Sequence, residues 1–349
     1  MAVTKQLGLR KWRGSGHEAA EGGAAGQTLQ CAAWVYDAGG HDHEVDLADG
    51  MPRLKSDALL WIDLDAGDEA ALEAAAELLE LPDGLVERLG SDEIRPSIAD
   101  YEDLIHMRVV EVARGDDPAA LAMDAVAGRN WLLTRHGAEG GYAESFREAF
   151  KGETELGRLD SLSFLAALLE HFLGHYFAAI EAVEQQVEAF DERAMRAEFT
   201  AGEQELGRIV VLRRTLATLR RYLVLHREPY AKLGDPDLTS LASKDSAARA
   251  QGLLARLERA VDAAESARQM VAGSFEILMA RTSQRTNDTM KLLTLISAAL
   301  LPSAVIAGVL GMNFKQPFFD LSYLFWLVIA LMAALMITVV VVARWRKWL

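Results

Sequence analysis

The chain has 349 residues, a formal net charge of −15 and a single cysteine, Cys31. That length supports two or three domains with a sizeable core. The lone cysteine excludes an intrachain disulfide framework and a cysteine-rich zinc site, and the acidity argues against a nucleic-acid partner.

The composition, 51% hydrophobic yet 25% charged, averages two unlike parts. From Leu292 onward the charges are Lys315, Asp320, Arg344, Arg346 and Lys347, a net +3. Residues 1–291 therefore carry −18, the whole-chain −15 less the tail's +3. An acidic body precedes an apolar, slightly basic tail. Such a body gathers cations near its surface.

Residues 1–28 hold Lys5, Arg10, Lys11 and Arg13, then a Gly- and Ala-rich stretch with no apolar signal run. They read as a flexible basic tail. Residues 29–155 read as a mixed α/β domain. Strands are expected at Cys31–Asp37, Leu59–Asp65, Leu104–Ala113, Leu121–Val126 and Trp131–Thr134. One helix is expected at Asp68–Glu80, with Pro82 and Gly84 as punctuation. Residues 156–245 read as a helical hairpin, Ser161–Arg196 and Gly202–His226, ended by a break at Pro229, Gly234 and Pro236. From Ser246 a third helical pattern meets no proline until Pro302. Continuous to Leu310, it would be roughly 100 Å long. No single small domain buries such a helix, so residues 246–312 are expected to form a stalk that enters a membrane.

Leu292–Met312 and Leu321–Ala343 are free of charge and long enough to span a bilayer. The loop between them, 313–320, makes them an antiparallel hairpin. Arg281, Arg285 and Lys291 precede the first span, and the basic segment 344–349 follows the second. The excess of cations on that side puts both termini in the cytoplasm, in a bacterial-type inner membrane. Trp326, Trp345 and Trp348 stand at the span ends, as interfacial aromatics do. Two helices cannot enclose a water-filled path, so a transporting role requires several copies around an axis. Thr294, Ser297, Ser303, Gly308, Gly311 and Asn313 suit the first span to line that axis, and the second reads as lipid-facing. A plain membrane anchor is the competing reading.

Other constellations are weaker. His41-Asp42-His43-Glu44 alternates sides in an extended segment and does not chelate as a unit. His171 and His175 lie one helical turn apart but lack an identified third ligand. No nucleotide loop, catalytic triad or paired-carboxylate motif is present, and no enzyme activity or cofactor is expected.

Gly311-Met312-Asn313, closing the first of two C-terminal spans, resembles the signature of CorA-type divalent metal cation transporters. Asn287, Met290-Lys291, Leu293-Thr294, Pro302, Ile306-Ala307-Gly308 and Lys347-Trp348-Leu349 fit the same pattern, and Trp61-Ile62-Asp63 and Arg95-Pro96 resemble its cytoplasmic domain. The resemblance implies an α+β membrane protein: a cytoplasmic α/β/α domain, a long stalk helix continuing into the first span, an outer second span, and a homopentameric funnel. It implies that Asn287, Met290, Leu293, Leu301, Ala304 and Gly308 face the pore. Gly311, Met312 and Asn313 would form the selectivity filter, and Met290 and Leu293 the apolar gate. The cargo would be a divalent cation, Mg2+ first, with Zn2+, Co2+ or Ni2+ as alternatives.

The chain also departs from that pattern. Lys315 and Asp320 stand in a loop where a glutamate is usual. Arg88 and Gly252 occupy the places of paired sensing aspartates, with Glu87, Asp245 or Glu258 as substitutes. A zinc-transporting relative and a transport-inactive scaffold are the competing readings.

Overall fold

The computed structural model describes residues 32–37, 42–47, 50–52, 54, 58–112, 120–137, 142–150, 159–196, 203–235, 237–238, 240–312 and 322–346. Expectations placed on residues 1–28 and 313–320, and on Cys31, His41 and Lys347-Trp348-Leu349, lie outside these.

Among the described residues, seven strands form one sheet in the order β2-β1-β3-β7-β6-β5-β4. They are β1 (Ala32–Asp37), β2 (His43–Glu44), β3 (Ala58–Asp65), β4 (Ser97–Asp100), β5 (Ile105–Val112), β6 (Ala120–Ala127) and β7 (Trp131–His136). Among the described strands, β3 and β7 alone pair in parallel. The crossover between β3 and the rest carries α1 (Glu69–Leu79) and α2 (Asp83–Leu89). Asp68 caps α1 by accepting the amide of Ala71 at 2.9 Å, and Glu80 closes it in the left-handed region at φ 54°. The β6–β7 turn brings the backbone of Gly128 against the Trp131 ring, where a Cβ would lie 2.3 Å from a ring carbon. Only glycine fits there.

Strand alternation splits the side chains into two cores. Leu60, Ile62, Leu64 and Leu133 pack on α1 and α2. Trp61, Met107, Val109 and Leu132 pack on the opposite helical layer. That layer holds α3 (Tyr142–Ala149), α4 (Ser161–Ala194), α5 (Glu203–Leu225), α6 (Arg227–Leu233) and α7 (Lys244–Leu310). The hairpin and the sheet thus share one continuous core.

The three long helices of this layer carry strict heptad seams. On α4 the seam runs through buried Leu169, Leu173, Tyr176, Ile180, Val183, Val187, Phe190 and Ala194, with Phe172 buried beside it. On α7 it runs through buried Ala250, Leu253, Leu257, Ala260, Ala264, Ala267, Val271, Ser274 and Leu278, with Val261 buried beside it. On α5, Ile209, Leu212, Leu216, Leu219 and Leu223 repeat the spacing. Steps of three and four residues keep each seam facing its partners, as in a coiled coil. α4 and α7 also start together. The Ser243 hydroxyl, which caps α7, donates to Asp160, which caps α4, at 2.6 Å. At the far end Arg281 donates to the carbonyl of Met195 at 3.3 Å. Beyond Arg281, α7 continues through an exposed polar neck, Thr282–Thr289, before it meets α8 (Ser322–Trp345).

Two expectations change. The proline-marked break after His226 is a helix, α6, because Pro229 sits in its first turn, where no intrahelical amide bond is lost. Pro82 and Gly84 likewise open α2 rather than a loop.

Candidate functional site

Two helices, α7 and α8, are long and apolar enough to cross a membrane while leaving almost all of that segment exposed in the single chain. α4 also meets the length and apolarity requirement, but more than half of its apolar window is buried inside the fold. Its apolar side is the body's core, so it is no span. Pro302 lies inside α7 without interrupting it. Trp326 and Trp345, towards the two ends of α8, are 69% and 83% exposed.

The membrane part of α7 has two faces. Lys291, Leu295, Ala299, Pro302, Ser303, Ile306 and Leu310 are partly or fully covered, and α8 is the element packed against this stretch. Asn287, Met290, Leu293, Leu301, Ala304 and Gly308 are all exposed. At about 100° per residue these six fall within an arc of about 120°, centred roughly opposite the covered face. Met290, Leu293 and Leu301 are 62%, 64% and 66% exposed, so among the described residues a continuous apolar stripe is left uncovered. Ser303 does not join it. It is buried on the α8 side, which removes it from the axis-lining set expected from composition. Thr294 turns its hydroxyl back to the carbonyl of Met290 at 2.8 Å.

Gly311 caps α7, and a Cβ there would stand 3.2 Å from the carbonyl oxygen of Ala307, a tight fit. Met312 is 61% exposed. Asn313, Lys315 and Asp320 lie outside the described residues.

The expected sensing positions hold no acidic pair. Arg88 reaches Ser97 at 3.5 Å, and Gly252 lies on the exposed side of α7. Of the substitutes, Glu258 is engaged by Arg227 at 2.6 Å, Asp245 sits in the first turn of α7, and Glu87 is exposed. His171 and His175 do come together, with ring centroids 5.2 Å apart, but each has another partner: Ser145 at 3.0 Å and Glu111 at 2.8 Å. Burial, then the neighbouring His175, lowers the pKa of His171. Among the described residues no three His, Cys, Asp or Glu side chains are grouped to hold a metal ion.

Two buried polar assemblies escaped the sequence. Arg108 and Asp124 are register partners on β5 and β6, joined at 2.7 and 2.9 Å. Arg108 also donates to the carbonyls of Arg88 and Glu93 and to the Ser91 hydroxyl, and His106 bonds Asp124 at 2.6 Å. The end of α2 is thereby tied to the sheet. At the end of the β3–β7 pair, His136 meets Asp63 at 3.1 Å. Burial alone would lower its pKa, but the hydrogen bond and charge of Asp63 outweigh it and raise it to about 9. Opposite charges at period-two positions on β5 and β6 were the available signal for the first assembly; their register was not.

A body of sheet and coiled coil is prolonged by one helix into an apolar hairpin whose two helices are long and apolar enough to cross a membrane. The family described as CorA-like Mg2+ transporter protein matches residues 56–344, and the chain belongs to it. The cobalt/magnesium transport protein CorA of Thermotoga maritima is 26% identical over 53% of this chain and 52% of its own length. The divalent cation transporter CmaX of Pseudomonas aeruginosa is 30% identical over 53% and 56%. The chain thus spans about half the length of these two curated relatives. The zinc transport protein ZntB of Pectobacterium carotovorum is 23% identical over 83% of this chain and 88% of its own. In fold, the chain is similar to the complete CorA magnesium transporter of Methanocaldococcus jannaschii, with a TM-score of 0.75 at 20% identity, over 91% of this chain and 98% of that one.

Proposed function

We propose that five copies of the chain ring a common axis and pass a divalent cation, Mg2+ in preference, across the cytoplasmic membrane. The observation that carries this reading is the exposed stripe Asn287–Met290–Leu293–Leu301–Ala304–Gly308, centred roughly opposite the covered face of α7. A helix whose second face is apolar and uncovered suits packing around an axis, with α8 outside. Both termini face the cytoplasm, by the excess of Arg and Lys at that end of both spans.

Mg2+ gives up its water shell reluctantly, so a pore favours the hydrated ion. A ring of Asn313 carboxamides accepts hydrogen bonds from those waters and, being neutral, releases the ion again. Below it, rings of Leu293 and Met290 close the path by dewetting. Lys315 and Asp320 set the charge at the outer mouth. An inside-negative potential drives entry with about 4.6 kcal/mol per divalent ion at about 100 mV.

Zn2+ transport is the second reading, favoured by the zinc transporter relative that aligns over 83% of the chain. Flux of Mg2+, Zn2+, Co2+ and Ni2+ into liposomes tests both, comparing the wild type with Asn313→Ala. Mg2+ flux that falls in the variant supports the first reading, and flux of Zn2+ without Mg2+ supports the second. Negligible flux of every ion in both proteins leaves a membrane scaffold.

A further inference from the structure

At the basic end of the hairpin, α7 and α8 part to leave a cavity of about 510 Å³. Leu295 and Ala298 form one wall, Val339 and Val342 the other, and Arg346 stands at its rim. Thr294 and Thr338 also line it, yet both hydroxyls are spent on their own helices, to the carbonyls of Met290 at 2.8 Å and Ala334 at 2.7 Å. Neither hydroxyl proton is left for the slot. The cavity is therefore apolar along its length and cationic at one end. From Thr338 to Arg346 it follows α8 for about 12 Å. Thr294 lies two residues inside the first span, so the mouth sits at the membrane interface.

We infer that this slot binds an anionic phospholipid of the cytoplasmic leaflet, one acyl chain between α7 and α8 and its phosphate on Arg346. An apolar slot ending in a guanidinium matches an amphiphile with an anionic head, and basic pockets between spans on this side bind such headgroups. A helix from a second copy fits less well. From Thr289 to Arg346 the only acidic residue in the sequence is Asp320, between the two spans, and Asp288 is already engaged by Lys291 at 2.8 Å. No side-chain carboxylate of these spans is available to Arg346 at this depth.

The inference rests on α7 and α8 being spans, not on which ion passes. Its test is native mass spectrometry of the full chain released from nanodiscs of phosphatidylglycerol or phosphatidylcholine. Retained phosphatidylglycerol is expected, and phosphatidylcholine is expected to wash away. Arg346→Gln should lower retention about fivefold, the effect of one interfacial cation, and Arg346→Lys should restore it. Ala298→Phe, which fills the slot, should lower it independently of charge. Equal retention in all four proteins, equal retention of both lipids, or disulfide trapping between copies through Val342→Cys overturns the inference. Lipid retention without ion flux would sink the transport reading alone.

Discussion

The Nε2 atom of His226 accepts the main-chain amide of Val110 at 3.0 Å, joining the start of α6 to the middle of the sheet. β4 pairs with β5 only as far as Arg108, so the outward backbone groups of Val110 have no strand to bond. His226 takes the amide and the Tyr176 hydroxyl donates to the carbonyl at 2.5 Å. The other ring nitrogen, Nδ1, donates to the carbonyl of Tyr222 at 2.7 Å, which fixes the neutral tautomer.

Burial lowers the pKa of His226 to about 4. The unfolded chain takes up this proton near pH 6.5, the folded chain only near 4. The stability that His226 contributes is therefore present above about pH 6.5 and is lost as pH falls towards 4, on the order of 3 kcal/mol in all. His226→Ala should cost about 2–4 kcal/mol by orphaning the Val110 amide and opening a cavity. Denaturation midpoints of the full chain between about pH 4 and 7 check both; a variant as acid-sensitive as the wild type refutes the assignment.

His136 gives the opposite sign. Its pKa is raised to about 9, so its contribution is whole below pH 6.5 and fades as pH rises through 9. Asp63→Asn should remove this alkaline loss and lower stability at neutral pH. The check is the melting temperature at about pH 6, 8 and 10 for both proteins.

Arg108→Met should destabilise the body by roughly 3–5 kcal/mol, because it strands a buried carboxylate. Adding Asp124→Leu should recover a large part of that. Additive losses in the double-mutant cycle, read by denaturant melts, would show that the pair is not coupled.

Much of this was legible in the sequence. The charge-free runs marked the membrane part of α7 and α8, and the strands β1, β3, β5, β6 and β7 showed as short alternating or apolar runs. The Ala- and Leu-rich stretch Asp68–Glu80 marked α1. Other features were not legible, for physical reasons. β2 and β4 are short and owe their conformation to their neighbours in the sheet. α2 and α6 begin with prolines that resemble loop signals until their place in the first turn is known. Arg108 and Asp124 meet through strand register, and His226 reaches Val110 across 116 residues. The heptad seams of α4, α5 and α7 were present in the sequence, but helical periodicity alone did not say which helices shared them. The stripe on α7 needed α8 in place before its free face could be told from its covered one.

That free face gives the sharpest expectation. In a Cys31→Ser background, Leu293→Cys and Leu301→Cys should cross-link between copies under oxidation, because both lie on the exposed arc of α7. Leu295→Cys, which lines the α8-side cavity, should not. A helix with its stripe towards lipid would reverse the result: Leu293→Cys and Leu301→Cys would react with lipid-soluble maleimide and form no dimers. Gel mobility before and after reduction distinguishes the two arrangements without any measurement of ion flux.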